Sequence, residues 1–352
     1  MTQRTPLKII THSQEAAENV VIKLVSTDGR KFTYLPGQFL VLNFNINGKE
    51  IRRSYSICSS PDLDEPLAIA VKLVENGEIT KFLHHKVAVG DVLYALKPNG
   101  IFTYLPEKEV KRTVFLFAAG IGITPIFSIL KSALVKENHS KLVLVYSNKS
   151  AANTLFYQEL KEWQDKYPER LKIIFLFSES KFLLTARLNN VRIEQIVKNN
   201  LSFKREDALF YTCGPINYMV LCRITLRALG FQQEQIKRET YFIPEDEADD
   251  DDMTEKKIKD TNTYTVIIDY QQKKYHLEVP YFKRILDVAL ENNINLPYSC
   301  GAGMCSTCTS TCVEGGVRMD YNEVLTDEDL AKGRVLICTG HPTANNTHII
   351  IG

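Results

Sequence analysis

The sequence predicts a multidomain protein: an antiparallel β-barrel, then an α/β domain built on a parallel sheet, then a small α+β domain. Three observations predict it. Glycine-containing turn pairs recur at short intervals up to about residue 105. From Lys111 onward, apolar runs end in glycine turns that lead into helices. The last quarter of the chain gathers five cysteines, three of them in a short run with closely set glycines.

A chain of 352 residues has room for two or three domains. With 44% hydrophobic and 24% charged residues it reads as an ordinary soluble globular protein. Its net charge of +1 gives no electrostatic argument for a nucleic-acid or anionic-membrane partner. Eight cysteines in a chain of this length do not suggest a disulfide framework, so a reducing compartment is expected. The N-terminus has no apolar signal segment, and the expected location is cytoplasmic. Thr113 to Leu130 is uncharged and long enough to resemble a membrane span. Gly120, Gly122, Thr124 and Pro125 at its centre read better as strand, turn and helix, so no membrane span is expected.

In the first region the turn pairs are Asp28-Gly29, Pro36-Gly37, Asn47-Gly48, Asn76-Gly77 and Asn99-Gly100. β-rich runs such as Phe39 to Phe44 lie between them. Within the region stands Arg52-Arg53-Ser54-Tyr55-Ser56-Ile57. On a strand, Arg53 and Tyr55 point one way and Ser54 and Ser56 the other. An arginine suits a pyrophosphate, a tyrosine can stack on a flat ring, and a hydroxyl can bond a ring nitrogen. The plainer reading is a strand end with solvated arginines. Gly77-Glu78-Ile79-Thr80 then leads into a short helix, with Thr80 as the expected N-cap and the helix start as a phosphate seat. A capped helix plugging the barrel is an equally compatible reading. Pro98 to Phe102 closes the region with an aromatic expected at the surface.

The α/β region opens on the apolar run Val114 to Ala119 and the turn Gly120-Ile121-Gly122-Ile123-Thr124-Pro125. Thr124 is the expected N-cap, with Pro125 at the first helical position. Such a turn, at the carboxyl edge of a parallel sheet, is where a dinucleotide phosphate binds. The next strand ends in Ser147-Asn148-Lys149, where an acidic residue would bind a free ribose hydroxyl. Hydroxyl, amide and lysine suit a 2′-phosphate instead, although Lys149 also reads as an ordinary loop lysine. Ala208 to Cys213 followed by Gly214-Pro215 repeats the strand, glycine and helix-start device. Cys213 at the strand tip is either a buried structural residue or a neighbour of a nicotinamide ring. Glu245 to Asp252 is an acidic run that should be an extended linker.

In the last region Cys300, Cys305 and Cys308 follow a C-x4-C-x2-C pattern, and Cys338 lies farther on. This is the ligand spacing of a plant-type [2Fe–2S] ferredoxin. A zinc site would usually show two C-x2-C pairs, and a thioredoxin-like motif would have no further cysteine nearby. Cys312 also follows Cys308, but on a β-rich run that leaves the loop, whereas Cys338 ends the apolar run Val335-Leu336-Ile337. Cys338 is therefore the expected fourth ligand.

The order of these motifs resembles the ferredoxin–NADP reductase superfamily, in its branch with a C-terminal plant-type ferredoxin domain, over nearly the whole chain. The resemblance implies FAD held by Arg53, Tyr55 and Ser56, with its pyrophosphate at Gly77, Ile79 and Thr80. It implies nicotinamide-dinucleotide loops at Gly120, Gly122, Ile123, Thr124 and Pro125, and at Cys213, Gly214 and Pro215. Glu239 and Tyr241 are similar to the acidic and aromatic residues the family places near the flavin. Tyr55, Ser56, Cys213 and Glu239 are thus the expected catalytic set. The implied domains are an FAD-binding barrel (1–106), an NAD(P)-binding domain (107–243), an acidic linker (244–262) and a β-grasp ferredoxin domain (263–352).

Hydride from NADPH, with NADH admitted, would pass through FAD to the cluster, because a flavin accepts a pair of electrons and can pass them singly. The implied acceptor is a multicomponent oxygenase, phenylacetyl-CoA epoxidase first, with another di-iron hydroxylase or desaturase as the alternative. A non-enzymatic redox sensor would not need two nicotinamide loops. An electron-transfer component of the dihydroorotate type would have a shorter gap before its last cysteine.

Overall fold

The strands β1 (Thr5–Gln14), β2 (Asn19–Ser26), β3 (Phe39–Ile46), β4 (Lys49–Ser56), β5 (Leu67–Lys72) and β6 (Val92–Ala95) form one antiparallel sheet, in the order β4-β3-β6-β1-β2-β5. The sheet nearly closes, because an isolated bridge joins Ile57, just past β4, to Ile69 in β5. Closure removes the free edges that would otherwise invite pairing with other chains. The inward positions of these strands, among them Leu7, Ile22, Leu40 and Ile69, make one apolar core. Helix α1 (Glu78–His85) adds Ile79 and Leu83 to that core.

The computed structural model describes residues 4–46, 49–75, 77–180, 186–239, 262–298, 301, 303, 306–322, 324, 325 and 327–351. The expected turn at Asn47-Gly48, residue Asn76, the residue Tyr241, the acidic run 245–252 and the expected ligands Cys300 and Cys305 lie outside the described residues. Residues 4–239 belong to one compact unit and residues 262–351 to a second.

The strands β7 (Thr113–Ala119), β8 (Lys141–Asn148), β9 (Leu171–Phe177), β10 (Leu209–Cys213) and β11 (Ile236–Glu239) form a parallel sheet, in the order β11-β10-β7-β8-β9. Among the described residues four helices cover it: α2 (Ile123–Lys136), α3 (Tyr157–Lys166), α4 (Asn190–Asn200) and α5 (Ile216–Ala228). The period of two explains why the strands read as unbroken apolar runs. Val114, Leu116 and Ala118 pack with residues of α2, α3 and the barrel. Phe115 and Phe117 pack on the opposite face with residues of α4 and α5. The central strands are therefore buried on both sides.

Four details differ from the sequence reading. Helix α1 starts at Glu78 with Gly77 as its N-cap, so Thr80 does not cap it. The Thr80 hydroxyl instead donates to the Gly77 carbonyl at 3.1 Å and accepts from the Val74 N–H at 3.2 Å. Helix α2 starts at Ile123 with Gly122 as N-cap, after a 3-10 turn over Gly120–Gly122. Thr124 therefore lies inside the helix, and its hydroxyl donates to the Ile121 carbonyl at 2.9 Å. Phe102 is not at the surface but 1% exposed, with its ring edge-on to Tyr211 at 5.2 Å. Helix α4 was not anticipated, although Asn189 caps it by accepting from the Arg192 N–H at 2.8 Å.

The second unit holds β12 (Thr263–Tyr270), β13 (Lys273–Pro280), α6 (Ile285–Glu291), β14 (Thr309–Glu314), β15 (Val317–Met319), α7 (Asp327–Ala331), β16 (Arg334–Leu336), β17 (Gly340–Pro342) and β18 (Thr347–Ile351). Its main sheet runs β13-β12-β18-β14-β16, with β12 and β18 parallel and the other neighbours antiparallel. Ile285, Leu286 and Ala289 of α6 pack with Val266, Ile268 and Leu277. A mixed sheet curled on one helix is the β-grasp arrangement expected of this region. Among the described residues no helix is long and apolar enough to cross a membrane.

Candidate functional site

The two glycine turns expected to bind a dinucleotide meet at the carboxyl edge of the parallel sheet. Cys213 pairs with Ala118 across β10 and β7, so the turns that follow these strands are neighbours. Gly122 lies so close to the other loop that an added Cβ would stand 2.3 Å from the Cys213 carbonyl oxygen. No side chain fits there, which explains a glycine at this position. Ile123, Thr124 and Pro125 are buried and shape the loop from beneath.

Beside these loops opens a cleft of about 540 Å³. Gly120, Ser147, Asn148, Lys149 and Pro215, all expected from sequence, line it. Gly122, Gly214 and Cys213 do not line it. Arg187, Asn153, Ser178 and Tyr218 also line the cleft and were missed. Arg187 follows no motif, whereas Tyr218 stands in the first turn of α5 and could have been found from the Gly214-Pro215 helix start. Ser147 Oγ and Asn148 Nδ2 are buried without a partner of good geometry, although they lie near the Tyr218 and Tyr146 hydroxyls. Buried donors left this way are ready for a ligand's oxygens. Glu18, Asn19 and Lys72 supply the barrel's side of the cleft.

Glu239 ends β11 directly opposite Cys213 in the parallel register. Its side chain is deep, the residue being 6% exposed, and burial pushes its carboxyl up to about 8. A carboxyl of that kind holds its proton at neutral pH and can donate a hydrogen bond. Cys213 is fully buried beside it.

On the barrel, β4 pairs with β3 so that Ser56 faces Phe39, Tyr55 faces Leu40 and Arg53 faces Leu42. Tyr55 packs against the barrel core, and burial holds its hydroxyl above the usual phenol range, with nearby Arg53 acting the other way. Arg53 is exposed, and its guanidinium donates to the Arg52 carbonyl at 2.8 Å. Ser56 is 3% exposed at the strand's end. Gly77 offers α1 no side-chain cap. Among the described residues no side chain caps the first N–H groups of that helix, a setting that suits an acceptor such as a phosphate, with Ile79 buried beneath.

In the second unit Cys308 and Cys338 are each 1% exposed. Antiparallel pairing of Thr309 with Leu336 brings the chain just before β14 next to the chain just after β16. Gly303 donates its N–H to Cys338 Sγ at 3.2 Å. Its φ of +74° suits glycine, and a Cβ there would come within 2.4 Å of the Tyr321 carbonyl oxygen. Two sheltered thiols with a backbone N–H turned onto one sulfur fit an iron–sulfur cluster. Cys312 is different: it is half-buried, and its thiol donates to the Glu314 carbonyl at 3.3 Å.

Three domain models match in this order. An oxidoreductase FAD-binding domain covers residues 7–104, an oxidoreductase NAD-binding domain 116–223, and a 2Fe-2S iron-sulfur cluster binding domain 268–343. The chain is 31% identical to a component of the 1,2-phenylacetyl-CoA epoxidase of Escherichia coli, over 90% of this chain and 88% of that protein. It is 32% identical to the ferredoxin reductase component of 3-ketosteroid-9-alpha-monooxygenase from Rhodococcus rhodochrous, over 91% and 88%. Among solved structures, phthalate dioxygenase reductase shares the fold with a TM-score of 0.61 at 21% identity, covering 99% of this chain and 97% of that one. An intact type IV self-sufficient cytochrome P450 monooxygenase contains the same fold with a TM-score of 0.72 at 16% identity, over 98% of this chain and 41% of that one.

Proposed function

The chain belongs to the ferredoxin–NADP reductase superfamily, in the branch that ends in a [2Fe–2S] domain, and on that footing we propose that it is the reductase component of a multicomponent oxygenase. It is an NAD(P)H oxidoreductase of electron-transfer type with FAD-binding, NAD-binding and [2Fe–2S] domains. When bound, the flavin would take a hydride from the nicotinamide and release electrons singly to the cluster.

The chain's own residues do the binding and orienting. The loops at Gly120 to Pro125 and Cys213 to Pro215 seat the dinucleotide. Tyr55 and Ser56 present a ring and a hydroxyl to the flavin, Arg53 offsets phosphate charge, and Gly77 to Thr80 receives the pyrophosphate. Glu239, protonated beside Cys213, is a hydrogen-bond donor where nicotinamide and flavin would meet. Tyr241 is assigned to the flavin's neighbourhood by the family resemblance alone. Cys300, Cys305, Cys308 and Cys338 are assigned to the cluster. The four segments 1–106, 107–243, 244–262 and 263–352 are taken as the functional divisions, and thiolate ligation suits a reducing cytoplasm.

The observation that carries the acceptor is the similarity over nine-tenths of the chain to components of oxygenase systems. Phenylacetyl-CoA epoxidase is placed first, and a ketosteroid monooxygenase is the second reading at 32% identity. Reconstitution with each oxygenase and NADPH separates them. Coupled product formation should be fastest with the phenylacetyl-CoA enzyme. Equal turnover when an unrelated reductase replaces this chain would refute a dedicated partner.

NADPH is the preferred donor because Lys149 and Arg187 line a cleft whose β8 end carries no carboxylate. A charge-assisted contact to the 2′-phosphate contributes roughly 1.5–3 kcal/mol. Lys149→Ala should therefore lower kcat/KM for NADPH about tenfold or more while leaving NADH nearly unchanged. Wild-type preference for NADH would contradict the assignment.

A further inference from the structure

Helix α2 carries one polar face opposite its apolar one, and that polar face meets residues of the segment between β4 and β5. Ser128 Oγ donates to the Ser59 carbonyl at 2.6 Å. Ser132 Oγ lies 2.7 Å from Ser60 Oγ. Lys131 Nζ donates to Glu65 Oε1 at 2.7 Å, and the same oxygen accepts from the Ser60 N–H at 2.5 Å. None of this is surface decoration: Ser59, Ser60, Ser128, Lys131 and Ser132 are each at most 3% exposed. The far side of the seam is anchored too. Ser59 Oγ lies 2.8 Å from the Tyr34 hydroxyl and accepts from the Ala68 N–H at 2.9 Å.

The two ends of this seam are the two ends of the reaction. Ser59 comes three residues after Ser56, the last residue of β4. Ser128 comes about one helical turn, ~5.4 Å, after Thr124 in the dinucleotide loop. Apolar contact already joins the parts, since Cys58, Ala68 and Ala70 share one core with Ile126, Phe127 and Leu130. Apolar contact, however, is non-directional and tolerates sliding. Hydrogen bonds of 2.6–2.7 Å fix direction and register, and buried polar groups are best attested in registry roles.

We propose that Ser128, Lys131 and Ser132 are positioning residues that hold the dinucleotide loop at a fixed distance and angle from the flavin strand. They touch neither reactant; they act through Ser59, Ser60 and Glu65 on the strand that ends in Ser56. The inference rests on the assignment of Tyr55 and Ser56 to the flavin and of the Gly120 turn to the dinucleotide. The consequence is geometric. Loosening the seam spoils the approach of nicotinamide to flavin without weakening either binding site, and a misplacement of about 1 Å can cost a hundredfold in rate.

The test uses the full-length, flavin-loaded protein with the variants Ser128→Ala and Lys131→Met. Flavin content, NADP⁺ affinity, the long-wavelength charge-transfer absorbance of the nicotinamide–flavin complex, and the anaerobic rate of flavin reduction are measured. Both variants should keep wild-type flavin content and NADP⁺ affinity, lose charge-transfer intensity, and reduce flavin roughly tenfold or more slowly. A larger isotope effect with NADPH deuterated at the transferred hydrogen should accompany the slowing. Wild-type charge-transfer absorbance and rate in both variants would overturn the proposal, as would a slowing matched by equal losses of flavin and NADP⁺ binding. If Lys131→Met does not fold, Ser132→Ala, which removes a single hydroxyl, carries the same readouts. Tyr55→Ala tests the underlying assignment separately. Full flavin retention there would remove that assignment and the proposal with it, whereas a failure confined to the seam variants removes the proposal alone.

Discussion

Cys338→Ser is expected to abolish the [2Fe–2S] absorbance and electron transfer to cytochrome c, whereas Cys312→Ser keeps both. The two thiols stand in opposite settings. Cys338 is 1% exposed and receives the Gly303 N–H on its sulfur, as a thiolate ligand would. The Cys312 thiol instead donates to the Glu314 carbonyl, and burial raises it above its ordinary range. A thiol that spends its proton on a neighbouring carbonyl is poorly set to bind metal, because the thiolate is the ligand. Flavin reduction by NADPH should survive both changes. Iron content, visible absorbance and single-turnover kinetics check the pair; loss of the cluster in Cys312→Ser with retention in Cys338→Ser would reverse the ligand assignment.

Glu239→Gln is expected to stabilise the first unit increasingly as pH rises. Burial lifts the Glu239 carboxyl from 4.5 to about 8, so the folded state binds a proton that the unfolded state releases. Below pH 4.5 this costs nothing; as pH climbs from there to about 8 stability falls, and above 8 the full cost is present. A shift of that size corresponds to something on the order of 5 kcal/mol. Glutamine keeps the shape and a donor but has no proton to lose. Urea unfolding followed by flavin release should show the variant gaining on wild type by roughly 2–3 kcal/mol between about pH 6 and pH 9. A constant difference across that range would mean that Glu239 is ionised in the fold. The same substitution should flatten the pH dependence of flavin reduction near pH 8.

Much of this architecture was legible because its signals are local. Glycine and proline at strand ends marked both turns proposed for the dinucleotide, and unbroken apolar runs marked the parallel strands. The two threonine caps were misplaced by a few residues, because Gly77 and Gly122 take the cap positions themselves and Thr80 and Thr124 turn their hydroxyls to nearby carbonyls. Phe102 defeated a local reading altogether. Only the fold brings it against Tyr211, more than one hundred residues away. Arg187 likewise enters the cleft from an irregular segment, where no periodicity announces it. The seam on α2 was invisible for the same reason: serines and a lysine in an apolar helix show their purpose only when Ser59, Ser60 and Glu65 are placed opposite them.

Anaerobic titration of the purified protein with NADPH, followed by visible absorbance and EPR, tests the proposed electron path most directly. The flavin should bleach and the cluster should become paramagnetic in the same titration, with about three electrons taken up per chain, two by flavin and one by the cluster. Full flavin bleaching beside a cluster that stays oxidised, or a preparation that binds zinc and no iron, would contradict it.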